Sequence, residues 1–176
     1  SKSHVFSTLH ICWGAQAAVY YHYGIGKRPL PKKLSGIFAH TMVDSTCHLF
    51  HGFDDVFYAP HSRYTEVDAE DLRAHDELQL LAVSKEAGAF AAQSLDARQV
   101  FVFGHPEYDA MTLAMEYRRD LAKGLHPTVP QHYFPGDDPT QPPVVNWRSA
   151  GQLLYTNWLN YYVYQSTPYD LREIDG

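Results

Sequence analysis

The chain has 176 residues, enough for one ordinary domain, and its 45% apolar content is that of a folded protein, which excludes disorder. Its 14 basic and 20 acidic residues leave a formal charge of −6, which gives no basis for nucleic acid or an anionic membrane as partner. No apolar run approaches the ~20 residues of a spanning helix, and the two cysteines, Cys12 and Cys47, make no disulfide framework, so the expected compartment is the reducing cytoplasm.

The opening "SKSHVFSTLH" has no signal-peptide architecture. It lacks an initiator Met and leads almost at once into a strand, so the chain reads as a piece of a longer protein. Val5 to Cys12 is apolar and β-branched, bounded by polar residues and Gly14, and predicts a buried strand. "GAQAAVYYHYGI" follows with helical composition, Ala17, Tyr20 and Tyr21 at helical spacing, and Gly24 as a stop. "KRPLPKK", Lys27 to Lys33, reads as a solvated basic loop, because two closely spaced prolines exclude a helix interior. "LSGIFAHTMV" and "VFYAPHSRYTEV" predict strands around the turn-rich "FHGFDD", and "AEDLRAH" a short helix. "LQLLAVS" and "AGAFAAQ" predict a strand pair, and Gln99 to Gly104 another buried strand. From Tyr108 the period changes. Met111, Ala114, Met115 and Ala122 fall on one helical side, with Glu116, Asp120 and Lys123 away from it. "HPTVPQHYFPGDDPTQPPVVN" is an extended loop. "WRSAGQLLYTNWLNYYVYQSTPYDL" closes the chain as an aromatic helix ending before Pro168; lacking a basic face, it predicts packing onto the core or a subunit, not a membrane surface. Strands alternating with helices predict α/β with a largely parallel sheet.

Two turns carry chemistry. Cys12 sits where a strand hands over to a helix, a turn that lifts a side chain to the sheet's top and exposes backbone N–H groups. The nucleophile elbow has this form, and the Trp13 amide would be its oxyanion donor. Taken alone, Cys12 reads equally as a buried, inert thiol. "GHPEYD" adds weight: it follows a buried strand and precedes a helix, so it lies at the carboxyl end of a strand, where open α/β sheets bind ligands. His105 could activate the thiol, and Glu107 could orient the imidazole and stabilise its cation. His48 and His51, with His40 and His61 nearby, have a spacing that eleven histidines produce by accident, and no metal site is expected. Cys47 reads as a packed residue.

"HICWGAQAAVYYHYGI", "FYAPHSRYTEV", "VFGHPEYDAMTLAMEYRRD" and "NWLNYYVYQSTPYDL" together closely resemble the homoserine O-succinyltransferases and O-acetyltransferases of the MetA type, over almost the whole chain. The resemblance implies the class I glutamine amidotransferase-like (flavodoxin-like) α/β fold, with a mostly parallel sheet and flanking helices. It implies Cys12 as acylated nucleophile, His105 as general base and Glu107 as third member of the triad. It also implies Lys33, Ser62 and Arg119 as substrate-binding residues, an arginine fork suiting an amino-acid carboxylate. No permanently bound cofactor is implied; acyl-CoA, succinyl or acetyl, is the co-substrate, L-homoserine the acceptor, and a homodimer the expected assembly.

That family carries a long further segment ahead of this point, supplying early strands, the second oxyanion donor and a position that helps choose succinyl from acetyl. Residues 1–176 therefore read as a single domain that is the C-terminal portion of a larger catalytic domain, whose nucleophile strand a preceding segment should flank. Serine in place of homoserine as acceptor stays open, as does the acyl group. So do a glutamine amidotransferase-like hydrolase, against which His10 stands where Gly-x-Cys-x-Gly has its first glycine, and a non-catalytic piece.

Overall fold

The computed structural model describes residues 5–168; the "SKSH" opening and the "YDL" end of the last motif lie outside the described residues. Six strands form one sheet: β1 (Thr8–Ile11), β2 (Arg28–Met42), β3 (Val56–Glu66), β4 (Leu78–Ser84), β5 (Gly88–Ser94) and β6 (Gln99–Val102). The helices are α1 (Trp13–Tyr23), α2 (Ala69–Ala74), α3 (Thr112–Ala122) and α4 (Arg148–Asn157), which runs on as a π-helical stretch, Trp158–Tyr164.

The sheet order is β1-β6-β5-β4-β2-β3. Only β1 and β6 pair in parallel; every other described pair is antiparallel. The α/β class holds, but the expected largely parallel sheet is corrected to a mixed one. The reason lies in the connections: tight turns join β4 to β5 and β5 to β6, links too short for a parallel crossover, while β2 returns to β3 as its antiparallel neighbour through a longer loop that holds a 3-10 turn, His48–Phe50. "KRPLPKK" is corrected as well. From Arg28 onward it belongs to β2, whose first half pairs with β3 alone and shifts register between Pro29 and Leu34. Prolines are tolerated there, because β2 meets β4 only at Thr41 and Met42 and no second ladder is broken.

The parallel pair positions the site. His10 lies opposite Phe101 and Ile11 opposite Val102, so both strands end at the same edge. Cys12 and the Gly104–His105 turn emerge there side by side. β1 has β6 as its one strand partner among the described residues, while β6 is buried throughout.

Two apolar layers cover the sheet. On one face α1 and α2 bring Ala15, Val19 and Leu72 against Leu80, Ala92 and Phe101. On the other, α4 and the π-helical stretch bring Leu154 and Tyr162 against Leu81, Phe90 and Val102. Each fully buried Leu or Phe contributes about 1.5–3 kcal/mol. The face of α1 differs from its expected one: Ala15, Ala18 and Val19 are buried, whereas Ala17, Tyr20 and Tyr21 are exposed. Small residues let the helix lie close to the sheet. A third cluster, Ile37, Leu113, Tyr133, Phe134 and Trp147, sits under α3. The proline-rich loop supplies its aromatics, and the Trp147 Nε1 donates to the Tyr108 carbonyl at 2.9 Å, pinning the segment after the His-Pro-Glu turn.

α4 closes on that turn from outside. A Cβ at Gly151 would stand 2.4 Å from the Pro106 carbonyl oxygen. Gly151→Ala should therefore cost about 1–3 kcal/mol, seen as a melting temperature several degrees lower. An unchanged melt would show that α4 can move away freely.

Candidate functional site

Cys12 caps α1 with φ +47° and ψ −112°, a left-handed conformation unusual for a residue with a side chain. Two hydrogen bonds hold it there: its N–H donates to the Val102 carbonyl at 2.7 Å, and its carbonyl accepts from Gln16 N–H at 3.0 Å. Such strain costs on the order of 1–3 kcal/mol and clusters at functional sites. The residue is 7% exposed. No side chain caps α1 and its first turn holds no acid, so the amides from Trp13 onward face the sulfur's surroundings with the helix's positive end. The Trp13 side chain itself lies in solvent, its ring under Lys27 Nζ at 5.7 Å.

His105 follows β6, its N–H anchored to the Pro60 carbonyl at 2.8 Å. Its Nδ1 donates to Glu107 Oε1 at 2.7 Å, leaving Nε2 for the Cys12 sulfur, with which the imidazole is also hydrogen bonded. Tyr108 stacks on the ring at 4.2 Å. Burial works against the imidazolium, but the hydrogen bonds and charges of Cys12 and Glu107 outweigh it and push its pKa up to about 9. The structure thus brings Cys12, His105 and Glu107 into one chain of contacts.

The substrate-binding candidates also converge, around a carboxylate that sequence reasoning placed on the solvent side. Glu116 Oε2 accepts from Lys33 Nζ at 3.0 Å and from Ser62 Oγ, and its Oε1 accepts from the Tyr108 hydroxyl at 2.8 Å. Lys33 reaches Asp120 at 3.2 Å as well, and Arg119 grips Asp120 through Nε and Nη2 at 2.8 and 2.7 Å. The expected polarity of α3 is therefore corrected: Leu113, Ala114 and Asp120 are buried, while Met111 and Met115 are exposed. Two acids turn inward because a lysine, a serine and a tyrosine meet them. Burial alone would raise Glu116, yet the bonds from Ser62, Lys33 and Tyr108 hold it below the usual range. The Arg119 side chain keeps 54% exposure, so its fork is only partly engaged. Tyr108 links the two groups, stacking on His105 and donating to Glu116.

Two buried residues also escaped the sequence reading. Gln16, one turn into α1, donates to the Thr65 carbonyl at 3.0 Å and accepts from Thr65 Oγ1 at 2.6 Å. Arg63, 6% exposed, lies beside Ser62 on β3. Glu116 and Asp120 did leave a trace in the sequence, as an i, i+4 pair of acids on a helix with Lys33 upstream; Gln16 and Arg63 left none. His48 and His51 pack on Tyr161 at 4.8 and 5.8 Å, and His40 and His61 pair with each other. Among the described residues no group of three or more His, Cys, Asp or Glu could hold a metal ion. Cys47 is buried with its sulfur 3.4 Å from the Tyr162 hydroxyl, and both cysteines are free thiols.

Comparison with known proteins bears on the family and the fold. A family model described as homoserine O-succinyltransferase matches residues 1–169. Proteins named homoserine O-acetyltransferase from Methanomethylophilus alvi and Acetivibrio thermocellus are 59% and 58% identical over 99% of this chain, which spans 56% and 57% of their lengths. Among solved structures, glutamine amidotransferases from Thermotoga maritima and Methylobacillus flagellatus superpose with a TM-score of 0.56 each, at 16% and 13% identity. They cover 86% and 92% of this chain, and 60% and 66% of their own. At that identity they establish the fold, the class I glutamine amidotransferase type.

The site sets the His105 titration. The imidazole should titrate near pH 9 instead of its ordinary 6.5, read by NMR of ring-labelled protein, and Glu107→Gln should lower the midpoint. Because the folded pKa is raised, the associated stability is complete below about pH 6.5 and fades as pH climbs through about 9. A midpoint at 6.5 in the unaltered protein would mean that the imidazole has no such partners.

Proposed function

The chain belongs to the homoserine O-succinyltransferase family, and on that premise we propose that it is the nucleophile-bearing part of an acyltransferase that moves an acyl group from acyl-CoA to the hydroxyl of L-homoserine through an acyl-cysteine intermediate. The observation that carries this is the contact chain of a strained, helix-capping Cys12, His105 and Glu107. The names of the 57–59% identical relatives favour acetyl as the acyl group.

The cycle starts when the proton of the pair lies on His105. The Cys12 thiolate attacks the thioester carbonyl, and the Trp13 amide, at the uncapped start of α1, receives the developing oxyanion; one such donor is typically worth 10²–10³ in kcat. As the tetrahedral intermediate collapses, the CoA sulfur leaves and takes the proton from His105. Acylation removes the charge and the hydrogen bond of Cys12, which help to raise the imidazole. Neutral His105 is then a competent base. It accepts the homoserine hydroxyl proton while that oxygen attacks the acyl-cysteine, and collapse returns thiolate and imidazolium. Glu107 stabilises the cation at both ends of the cycle. Transfer between two sulfurs is nearly isoenergetic, which suits cysteine better than serine.

In the same reading, Arg119 takes the homoserine carboxylate with its exposed guanidinium edge, Lys33 and Ser62 fix the pocket wall through Glu116, and the setting is the reducing cytoplasm, where both thiols persist. The open edge of β1 is where a further segment of the protein pairs, bringing the second oxyanion donor.

Full-length protein incubated with acetyl-CoA and no acceptor should gain one acetyl mass on the peptide carrying Cys12, discharged on adding homoserine. Label on Cys47 alone, or ammonia release from glutamine without acyl transfer, would overturn the reading. Arg119→Ala should raise the KM for homoserine roughly tenfold or more with kcat nearly kept, since a charge-assisted fork contributes binding, not chemistry. An unchanged KM with a lowered melting temperature would make Arg119 a brace for Asp120 only.

A further inference from the structure

In the proposed cycle His105 serves two partners in turn, first the sulfur and then the acceptor hydroxyl. In the structure its ring is held at both nitrogens. Nδ1 donates to Glu107 Oε1 at 2.7 Å, and the Cys12 sulfur is the partner on the other side. Acylation of the sulfur ends the second of these bonds. What then remains of the pair is the bond to Glu107, whose side chain is 40% exposed, so that water competes for its carboxylate. The base is least constrained at the moment when it must take a proton from the acceptor.

Tyr108 lies against the face of that ring. The two ring centroids are 4.2 Å apart and the planes are within 20° of parallel. The stack is built into the backbone: the Tyr108 N–H donates to the His105 carbonyl at 3.1 Å, closing one turn around Pro106 and Glu107, and the His105 N–H is anchored on the Pro60 carbonyl at 2.8 Å. Stacking is directional, so a flat ring resists tilting of its neighbour in a way that an aliphatic side chain does not.

The tyrosine is itself pinned at both ends. Its carbonyl accepts from Nε1 of the fully buried Trp147 at 2.9 Å, and its hydroxyl donates to Glu116 Oε1 at 2.8 Å. Burial and Glu116 push the phenol's pKa up, so the hydroxyl keeps its proton and stays a donor. Glu116 Oε2 meanwhile accepts from Ser62 and Lys33. The plate under the imidazole therefore rests on the same carboxylate that organises the candidate acceptor side.

Accepting the acyl-cysteine cycle, we propose that Tyr108 is a positioning residue that holds the His105 ring in its working plane through the acyl-enzyme stage, so that the nitrogen released by Cys12 meets the homoserine hydroxyl. The demand is unequal over the cycle. During acylation the sulfur and Glu107 both fix the imidazole, and the stack is a further brace. During discharge the sulfur no longer contributes, and the stack and Glu107 carry the orientation between them. A base misplaced by about 1 Å costs on the order of 10²-fold in rate, so loss of the plate falls on the second half-reaction.

The test times the two half-reactions separately in full-length wild-type, Tyr108→Phe and Tyr108→Leu proteins, each checked for a cooperative melt. Acetylation by acetyl-CoA without acceptor, and discharge by homoserine, are read from the mass of the Cys12 peptide. Relative to its own acylation, Tyr108→Leu should discharge roughly tenfold or more slower than wild type. Tyr108→Phe keeps the flat ring and should stay within about threefold of wild type in both steps. Equal slowing of both steps in Tyr108→Leu would show a packing role, and discharge as impaired in Tyr108→Phe as in Tyr108→Leu would assign the effect to Glu116; either overturns the proposal. A second arm needs neither a variant nor turnover. Cys12 of the wild-type protein is alkylated with iodoacetamide, which removes the thiol as acylation does, and Overhauser contacts between the His105 and Tyr108 rings are measured by NMR before and after. They should persist, and their loss on alkylation overturns the proposal even where Tyr108→Leu does not fold. No acetylation of wild-type Cys12, with the ring contacts kept, sinks the acyltransferase reading and leaves the orienting role of Tyr108 standing; acetylation with unimpaired discharge in Tyr108→Leu does the reverse.

Discussion

The pairing of β1 with β6 is the constraint from which the site follows. Four residues on each strand run in parallel register, so two turns from distant parts of the chain leave the sheet at one edge. The ladder continues one residue past β1: the Cys12 N–H still bonds Val102 while the backbone has already turned into α1. Those demands meet only with Cys12 in a left-handed conformation. Its local cost, on the order of 1–3 kcal/mol, is offset by a strand pair backed by the buried β6 and by a helix whose small face lies close to the sheet. Relaxing Cys12 would require giving up the ladder bond or lifting α1 off the sheet.

Charge is distributed around that edge in two tiers. In the upper one, Lys33 and Arg119 face Glu116 and Asp120, and the acids hold their charge because each has a cation or a hydroxyl donor. In the lower one, the buried Arg63 pairs with Glu66 at 3.7 Å. His105 lies between them, stacked on Tyr108, which donates to Glu116, and electrostatically felt by His61 below. An imidazole there responds to both tiers. Against its burial, Cys12 and Glu107 raise its pKa.

What the sequence made legible were the features whose causes are local. A strand followed by "CWG", and a second by "GHPEYD", declare turns through glycine, proline and the switch of period, so Cys12, His105 and Glu107 stood out and do converge. The inward face of α3 was not legible: Glu116 and Asp120 look like a solvated face until Lys33, 83 and 87 residues away, is brought to them. The strand through "KRPLPKK" was hidden by its prolines, which are harmless only because half of β2 has a single neighbour. Sheet direction failed for a related reason. Alternation of strands and helices predicts parallel crossovers, but the hairpins β4–β5 and β5–β6 are set by turn length, and periodicity is blind to that.

β3 shows how one strand serves both tiers. Successive residues point to opposite faces. Ser62 and Tyr64 face α3, where Ser62 donates to Glu116 and the Tyr64 ring lies 5.8 Å from Lys33 Nζ. His61, Arg63 and Thr65 point the other way, where His61 meets His40 and Thr65 meets Gln16 of α1. Pro60, just before them, receives the His105 N–H. A one-residue slip in the β2–β3 register would carry Arg63 to the acid face and turn Ser62 away from Glu116, leaving a buried serine where Arg63 now meets Glu66 and a surplus cation beside Lys33. The long ladder from Leu34 to Thr41 that fixes this register is therefore as much a part of the candidate site as the turn that carries Cys12.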